Sequence, residues 1–158
     1  MFLLASISVF AQDDEERGFR FGLGGNLSLP MGDLKEDYSY GVGFEIEPSY
    51  GITENIETFM QAGINVFRAK SQFGGDNSNG LLHIPILVGG RYKVSGFFAG
   101  AGVGYGLWTA SGASSNGFMY SPQVGYGKGK LELALHYSST TVTGGSLSYF
   151  GLKIFRKF

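Results

Sequence analysis

Two adjoining stretches decide the fold of this chain: LLHIPILVGGRYKV at residues 81–94 and GFFAGAGVGYGL at residues 96–107. In the first, apolar side chains stand at positions 82, 84, 86, 88 and 92, whereas His83, Gly89 and Arg91 take odd positions. In the second, the odd positions are apolar and glycine occupies each even position from 100 to 106. A period of two residues is typical of a β-strand with one apolar face. The short connection 93–96 therefore predicts a hairpin.

Six further segments repeat this alternation on either side of the hairpin. They are residues 18–29, 40–50, 56–67, 118–126, 131–137 and 148–158. Each of the eight segments is near the roughly 9–11 residues that cross a bilayer as a tilted strand. Pro48, Pro85 and Pro122 fall inside them. Because proline cannot donate to a strand ladder, we expect bulges there.

The connections alternate in length along the chain. Long polar connections are predicted at residues 30–39, 68–80, 109–117 and 138–146, and short ones at 51–55, 93–96 and 127–130. An up-and-down barrel with both termini at one end has this order, and outer-membrane barrels combine short periplasmic turns with longer extracellular loops. The order of the connections therefore turns eight separate strands into one topology.

The composition excludes several function classes. The chain has 158 residues, enough for one domain, with 27 glycines, 15% aromatic residues and only 16% charged residues. Many aromatics with little charge argue against disorder. The absence of cysteine excludes disulfide scaffolds, thiolate metal sites and cysteine nucleophiles. A net charge of −1 without a long basic run disfavours a nucleic-acid partner.

The N-terminal segment differs from the rest of the chain. Residues 2–10 read FLLASISVF, and Val9 and Ala11 have the small-residue spacing of a cleavage site. We therefore expect a secretory signal peptide at residues 1–11, an acidic tail at 12–17 and the barrel at 18–158. No Lys or Arg precedes the apolar run, which a signal truncated at its start would explain.

Alternation alone is compatible with two kinds of barrel. The apolar face points outward in a membrane barrel and inward in a soluble, lipocalin-like one. Here the polar face consists mainly of Gly, Ser and Asn, which suit the narrow interior of an eight-stranded barrel and make a poor solvent surface. The apolar face carries aromatic residues near the strand ends, as the girdles of outer-membrane barrels do. We therefore predict an all-β, eight-stranded antiparallel up-and-down transmembrane β-barrel, with the soluble ligand-binding barrel as the alternative. The aromatic residues concerned are Phe19, Tyr50, Tyr92, Phe97, Tyr105, Phe118, Tyr126, Tyr137 and Phe158.

In that barrel the charged residues of the strands point inward. Buried charges require partners, because their desolvation is otherwise not offset. We expect a closed polar plug, and a narrow pore for small solutes is the alternative. The predicted lumen network comprises Arg20, Glu45, Glu47, Arg91, Glu132, His136 and Lys153, with Glu57 nearer one end.

Several segments resemble a known family. They are the signal-like SVFAQ, the strand GFRFGLGGNLSLPMGD, the pair of stretches at residues 81–107 and a closing strand that ends in Phe158. The chain resembles the small outer-membrane β-barrel domain proteins of Bacteroidota, of the OmpA-like eight-stranded type. The resemblance implies export to the outer membrane of a Gram-negative bacterium, contact with its lipid, and insertion by the barrel-assembly machinery with Phe158 as the assembly signal. It implies no single biochemical activity.

One motif suggests an enzyme. His136, Tyr137 and Ser138 resemble the His-x-Ser motif of outer-membrane lipid A deacylases, in which a histidine base activates a serine nucleophile. The deacylase motif continues with Asn, whereas Ser139 follows here, and no acidic residue lies between Ser138 and Phe158 to orient the histidine. The predicted register also points His136 away from lipid. A lumen histidine beside Glu132 is the simpler interpretation.

Other ligand motifs are weaker. His83 and His136 alone make a poor zinc site. The glycines of residues 100–106 lack the strand–turn–helix context of a dinucleotide fingerprint. Residues 74–80, GGDNSNG, lack the acidic spacing of a calcium loop, and we expect a flexible surface loop there. The sequence therefore predicts a non-enzymatic barrel without catalytic residues, metal or cofactor, with a structural role or a role in recognition through its loops.

Overall fold

The computed structural model describes residues 17–70 and 80–158 and forms a closed barrel of eight antiparallel strands. Each strand pairs with its neighbour in sequence, and β1 closes the barrel against β8. The strands are β1 Gly18–Met31, β2 Tyr38–Gly51, β3 Ile56–Ala69, β4 Leu81–Val94, β5 Phe97–Ala110, β6 Ala113–Lys128, β7 Leu131–Val142 and β8 Gly145–Lys157. The predicted fold class and strand order are confirmed. A single helical turn, α1 (Leu34–Asp37), precedes β2, and no described helix has the length and apolarity needed to span a membrane.

The seam between β1 and β8 removes the last free strand edges. Leu27 pairs with Leu152 near its middle, and Phe21 and Phe158 exchange backbone hydrogen bonds of 3.1 and 2.8 Å at its end. An unpaired edge would leave backbone donors and acceptors exposed. The register therefore holds Phe158 against β1.

Two of the four long connections predicted from the sequence are wrong. β5 and β6 remain paired to Ala110 and Ala113, and β7 and β8 remain paired to Val142 and Gly145, so each connection is two residues long. The segments 109–117 and 138–146 are polar on both faces, and their alternation therefore gave no strand signal. Such strand ends are compatible with water on both sides.

The two ends of the barrel differ in their connections. We call the end with the connections 52–55, 95–96 and 129–130 the turn end, and the end with 32–37, 70–80, 111–112 and 143–144 the loop end. Both described chain ends, next to β1 and β8, lie at the turn end. Residues 1–16 and 71–79 lie outside the described residues, as do the predicted signal peptide and most of the predicted loop at 74–80.

The apolar face of the sheet points outward. Along β7, for example, Leu133 and Leu135 have 47% and 51% of their surface exposed, whereas Ala134 between them has 2%. Large exposed apolar side chains cover the outer wall on all eight strands. The soluble barrel with an apolar interior is therefore not the observed structure.

The prolines inside the strands do not produce bulges. Pro48, Pro85 and Pro122 each pair with one neighbouring strand, and the register beside them is unchanged. On the other side of each, the ladder lacks paired residues. The missing donors are thus accommodated by local gaps in one ladder. The register shift that the structure does contain lies between Tyr38 and Tyr40.

Candidate functional site

The interior of the barrel is the candidate site, because alternation delivers polar side chains to it from every strand. Arg20 is partly buried near the turn end, and the other six members of the predicted network are almost fully buried. They lie in successive layers along the barrel axis rather than in one cluster.

The layer nearest the turn end is built around Arg91 of β4. Its Nε lies 2.6 Å from Glu57 Oε1, and one terminal nitrogen lies 2.6 Å from Glu132 Oε1. The other terminal nitrogen contacts Glu47. Three carboxylates from β2, β3 and β7 thus converge on one guanidinium, which presents a rigid fork of donors. We call these four residues the Arg91 cluster.

Aromatic rings enclose the Arg91 cluster. The guanidinium carbon lies 4.9 Å from the centroid of Phe59 and 4.8 Å from that of Phe98. A cation over an aromatic face is attracted by the ring quadrupole. The two rings also exclude water, so the ion pairs of Arg91 act in a medium of low dielectric constant.

Further cations surround this cluster. Lys157 contacts Glu47 and lies 3.8 Å from Glu132, and Arg20 contacts Glu57. Lys93 lies 3.6 Å from Glu57. A cavity of about 130 Å³ opens at the turn end beside these groups, and its lining includes Arg20, Lys93, Glu132 and Lys157.

The second layer joins Glu45 to Lys153, both of the predicted network. Their ion pair measures 2.8 Å, and Asn26 donates to Glu45 over 2.9 Å. Lys153 also donates to Gln61 over 3.2 Å, and Gln61 donates to Glu47 of the Arg91 cluster. Gln61 therefore links the two layers.

The third layer contains His136. Its Nδ1 lies 2.9 Å from Ser138 Oγ, which in turn lies 2.8 Å from Ser121 Oγ. Nearby, His83 stacks on Trp108 at a centroid distance of 3.8 Å, and the Tyr149 hydroxyl lies 3.4 Å from His83 Nδ1. Sequence reasoning placed His136 beside Glu132, but its hydrogen-bond partner is Ser138.

The geometry of His136 and Ser138 bears on the deacylase alternative. The histidine and serine are within hydrogen-bonding distance, as a nucleophile and its base must be. Both are almost completely buried inside the barrel, where an acyl chain outside the wall cannot reach them. His136 Nε2 has no hydrogen-bond partner among the described residues, so no carboxylate orients the ring from that side.

An apolar cluster fills the loop end of the lumen. Phe67, Leu81 and Trp108 pack with Leu34, which α1 places over the barrel mouth. Phe67 and Trp108 have centroids 5.4 Å apart. We call these four residues the apolar cap. The lumen is thus ionic at the turn end and apolar at the loop end.

Sequence reasoning missed the aromatic residues of the lumen. Five aromatic residues that were assigned neither to the lumen nor to the girdles point inward: Phe59, Phe67, Phe98, Trp108 and Tyr149. The alternation itself could have found them, because Phe59 and Phe67 occupy odd positions of β3, as the inward-pointing Glu57 and Asn65 do. Within residues 17–70 and 80–158, no three His, Asp or Glu side chains are arranged to hold a metal ion.

Solved structures of low sequence identity share this fold. The chain is similar to Ail, the attachment invasion locus protein of Yersinia pestis, with a TM-score of 0.61, 12% identity, and coverage of 90% of this chain and 99% of that one. It is also similar to Neisserial surface protein A, with a TM-score of 0.50 and 14% identity, and the match covers 89% of this chain and 97% of that one. The outer membrane protein OprG from Pseudomonas aeruginosa has a TM-score of 0.50 and 11% identity, and the match covers 90% of this chain and 97% of that one. No protein-family model matches the chain, and no curated protein matches it.

Proposed function

We propose that this protein is a non-enzymatic barrel of a bacterial outer membrane, with a closed lumen and a structural or recognition role. The observation that carries the proposal is the division of the sheet into two faces. The outer wall is apolar on every strand, whereas ionised side chains lie inside and pair with one another. A protein surrounded by water gains nothing from this arrangement, whereas one surrounded by lipid requires it.

The structural neighbours support the membrane location. Ail has been studied in a phospholipid bilayer nanodisc, and OprG is described as an outer membrane protein. With the termini and short turns on the periplasmic side, the turn end faces the periplasm and the loop end faces outward. Recognition then falls to the loop end. Ail has also been crystallised with a heparin analogue, an example of a barrel of this fold that binds a ligand.

The proposal includes the processing and assembly of the chain. Residues 1–11 form a signal peptide, residues 12–17 an acidic tail, and 18–158 the mature barrel of a Bacteroidota-type, OmpA-like protein. Export through the periplasm precedes insertion by the barrel-assembly machinery, which recognises Phe158. The exposed ring of Phe158 on the outer wall, held by backbone bonds to Phe21, supports this role.

The interior does not favour the pore or the enzyme. A pore needs a continuous path for water, but the Arg91 cluster fills one end of the lumen and the apolar cap fills the other. A lipid A deacylase needs its serine open to lipid, but Ser138 is completely buried. We therefore propose a lumen whose polar residues stabilise the barrel.

Two arginine substitutions on β7 test the membrane location. Leu135 lies near the middle of the strand on the outer wall, whereas Leu131 lies at the turn end with 61% of its surface exposed. Arg at the bilayer midplane costs a membrane barrel about 2–4 kcal/mol, and the cost falls to about 0–1 kcal/mol near the interface. Leu135→Arg should abolish the SDS-resistant band of unheated outer-membrane fractions, and Leu131→Arg should preserve it.

The matched pair separates the proposal from a soluble barrel. Both leucines are exposed, so a protein in water would tolerate both substitutions equally and would appear in the periplasmic fraction. Equal mobility of the two variants in the soluble fraction would contradict the membrane location. A shift on boiling for the unsubstituted chain and for Leu131→Arg alone would support it.

A further inference from the structure

The outer wall at the turn end carries an unusual group of cations. Lys128 of β6 and Arg156 of β8 both pair with Leu131 of β7, so the three residues lie in one row across the sheet. Residues of one row point to the same face, and Leu131 points outward. The two cations are therefore about 10 Å apart on the outer wall. Exposed Lys130 lies in the adjoining turn.

Among residues 17–70 and 80–158, these three cations have no acidic partner on the wall. Within the described part of the chain, none of Lys128, Lys130 and Arg156 forms an ion pair. The nearby Glu132 points inward and is held by Arg91 and Lys157. Arg156 instead lies over the ring of Phe158, with 5.4 Å between the guanidinium carbon and the ring centroid. We call the three cations the basic rim.

An apolar groove begins immediately beside the basic rim. A hollow of about 240 Å³ is lined by Tyr126, Leu133 and Ile154, which form the next outward row, and it reaches Lys128. A second, separate hollow of about 430 Å³ lies in the adjoining outward rows of the same strands, at Val124 and Pro122, and the two hollows together make up the groove. Small residues of β5, among them Ala99, leave room for it.

The length of the groove matches one leaflet of a membrane. Lys128 and Pro122 are six residues apart on β6, or about 20 Å at roughly 3.3 Å per residue. A strand tilted by about 40° covers about 15 Å of membrane depth over that length, which is half of the roughly 30 Å hydrocarbon core. A chain lying in the groove would thus extend from the headgroups to the bilayer centre.

We propose that the basic rim and this groove form a binding site for one anionic glycerophospholipid of the periplasmic leaflet. The phosphate and the net negative charge of the headgroup lie among Lys128, Lys130 and Arg156, and one acyl chain fills the groove. Charge complementarity selects the anionic headgroup over a zwitterionic one, because three cations that form no ion pair with any described residue meet it at the interface. The inference rests on the proposed membrane location.

Elsewhere at the turn end, the described residues form no comparable site. On the β2–β3 side, Arg17 is neutralised by Glu54 at 3.3 Å, and Arg20 and Lys93 approach Glu57 in the interior. Tyr50 lies on the outer wall of that side with 54% of its surface exposed, close to the 42% of Tyr126. Tyr50 therefore provides a matched reference position outside the proposed site.

A tryptophan probe can report which lipid occupies the groove. In a Trp108→Phe background, Tyr126→Trp places the only tryptophan in the lower hollow, and Tyr50→Trp places it at the reference position. Each protein is inserted into phosphatidylcholine vesicles containing brominated phosphatidylglycerol or brominated phosphatidylcholine. Quenching of the tryptophan in Tyr126→Trp should show that phosphatidylglycerol binds at least about fivefold more tightly than phosphatidylcholine. This is the ratio that corresponds to the roughly 1 kcal/mol supplied by a single interfacial cation. Tyr50→Trp should show no such preference.

Neutralising the basic rim provides the second arm. Lys128→Gln, Lys130→Gln and Arg156→Gln together should remove the preference at Tyr126→Trp, whereas Lys35→Gln, Arg68→Gln and Lys70→Gln at the loop end should retain it. No preference in the starting protein, or a preference that survives loss of the rim, would overturn the site.

Two further results have separate meanings. Weaker quenching of Tyr126→Trp than of Tyr50→Trp by both lipids would overturn the site in favour of a second copy of the chain covering the groove. No quenching of either probe by either lipid would contradict the membrane location itself.

Discussion

Arg91 is the residue through which four strands are joined by charge, since β4 carries it and its guanidinium contacts carboxylates from β2, β3 and β7. These carboxylates are buried, so each would be strongly destabilised without its counter-ion. The neighbouring Lys157 compensates part of the negative charge through its ion pairs with Glu47 and Glu132. The stability of the barrel should therefore depend on Arg91 more than on an exposed arginine.

Replacing Arg91 by methionine should lower the free energy of unfolding by about 3–5 kcal/mol, the range for removing one partner of a buried ion pair. Urea unfolding of the vesicle-inserted protein measures this loss, with the folded fraction at each urea concentration determined by the heat-sensitive gel shift. Arg156→Met, on the exposed outer wall, is the control and should cost less than about 1 kcal/mol. Equal losses in the two variants would contradict the role given to Arg91.

Gly151 shows how closely the lumen is packed around His136. A methyl group on Gly151 would collide with His136 Nε2 and would lie 2.8 Å from two carbons of the ring. Gly151→Ala should therefore destabilise the barrel by about 1–3 kcal/mol through overpacking. Gly25→Ala, whose methyl group would meet only an atom 3.9 Å away, should have little effect in the same unfolding assay.

The collision also predicts a coupling between the two positions. In the double variant Gly151→Ala with His136→Ala, the added methyl group finds the space that the ring has left. The double variant should then be less destabilised than the sum of the two single variants. Simple additivity in a double-mutant cycle would show that His136 does not occupy that space.

At the scale of elements, the strands continue beyond the segments that alternate in polarity. The tip of the β5–β6 hairpin is a two-residue connection in which Ser111 has φ of 43° and Gly112 has φ of 81°. Positive φ at both positions is characteristic of a type I′ turn, which matches the twist of the flanking strands. Tight turns of this kind hold together strand ends that are polar on both faces.

Ser111→Asn should stabilise that hairpin, because Asn adopts positive φ more readily than Ser and Asn-Gly is the preferred type I′ pair. We expect a gain of about 0.5 kcal/mol in the free energy of unfolding. Ser114→Asn, in the paired part of β6, is the control and should give no gain. A stabilisation of equal size in both variants would argue against a turn-specific effect.

The sequence reveals some elements and hides others for physical reasons. Alternation identifies the parts of all eight strands that carry an apolar outer face, and it puts Glu47 and Arg91 on the inner face. It cannot show that Arg91 meets Glu47, Glu57 and Glu132, because that depends on register and on closure of the barrel. The strand ends near Ala113 and Val142 are also hidden, since a strand with water on both faces has no apolar side. Lumen aromatics such as Trp108 were missed, because the girdles and the lumen both use aromatic residues.

At the scale of the whole molecule, side chains of two different chemical kinds fill the two ends of the lumen. Ion pairs around Arg91 lie at the turn end, and the apolar cap of Phe67, Leu81, Trp108 and Leu34 lies at the loop end. An ion crossing the barrel would have to displace both. Interiors of eight-stranded barrels are only wide enough for side chains, which supports the proposed closed lumen.

Planar-bilayer recordings should accordingly show no stable open-channel current for the purified protein. The heat-sensitive gel shift verifies in the same preparation that the protein is folded. It thereby distinguishes a folded barrel that does not conduct from a preparation that contains no folded barrel. Regular single-channel steps from an inserted protein would contradict the closed lumen and would favour the narrow pore.

The most direct test of the account is which face of β7 meets lipid. The chain has no cysteine, so single cysteines at Leu131, Leu133, Leu135, Tyr137 and Ala134 can each carry one nitroxide label. In vesicles, the labels at Leu133 and Leu135 should collide frequently with oxygen, which partitions into lipid, and rarely with a water-soluble nickel chelate. The label at Ala134 should be shielded from both reagents. Frequent collisions of the Leu133 and Leu135 labels with the nickel chelate would place the apolar wall in water and would contradict the membrane barrel.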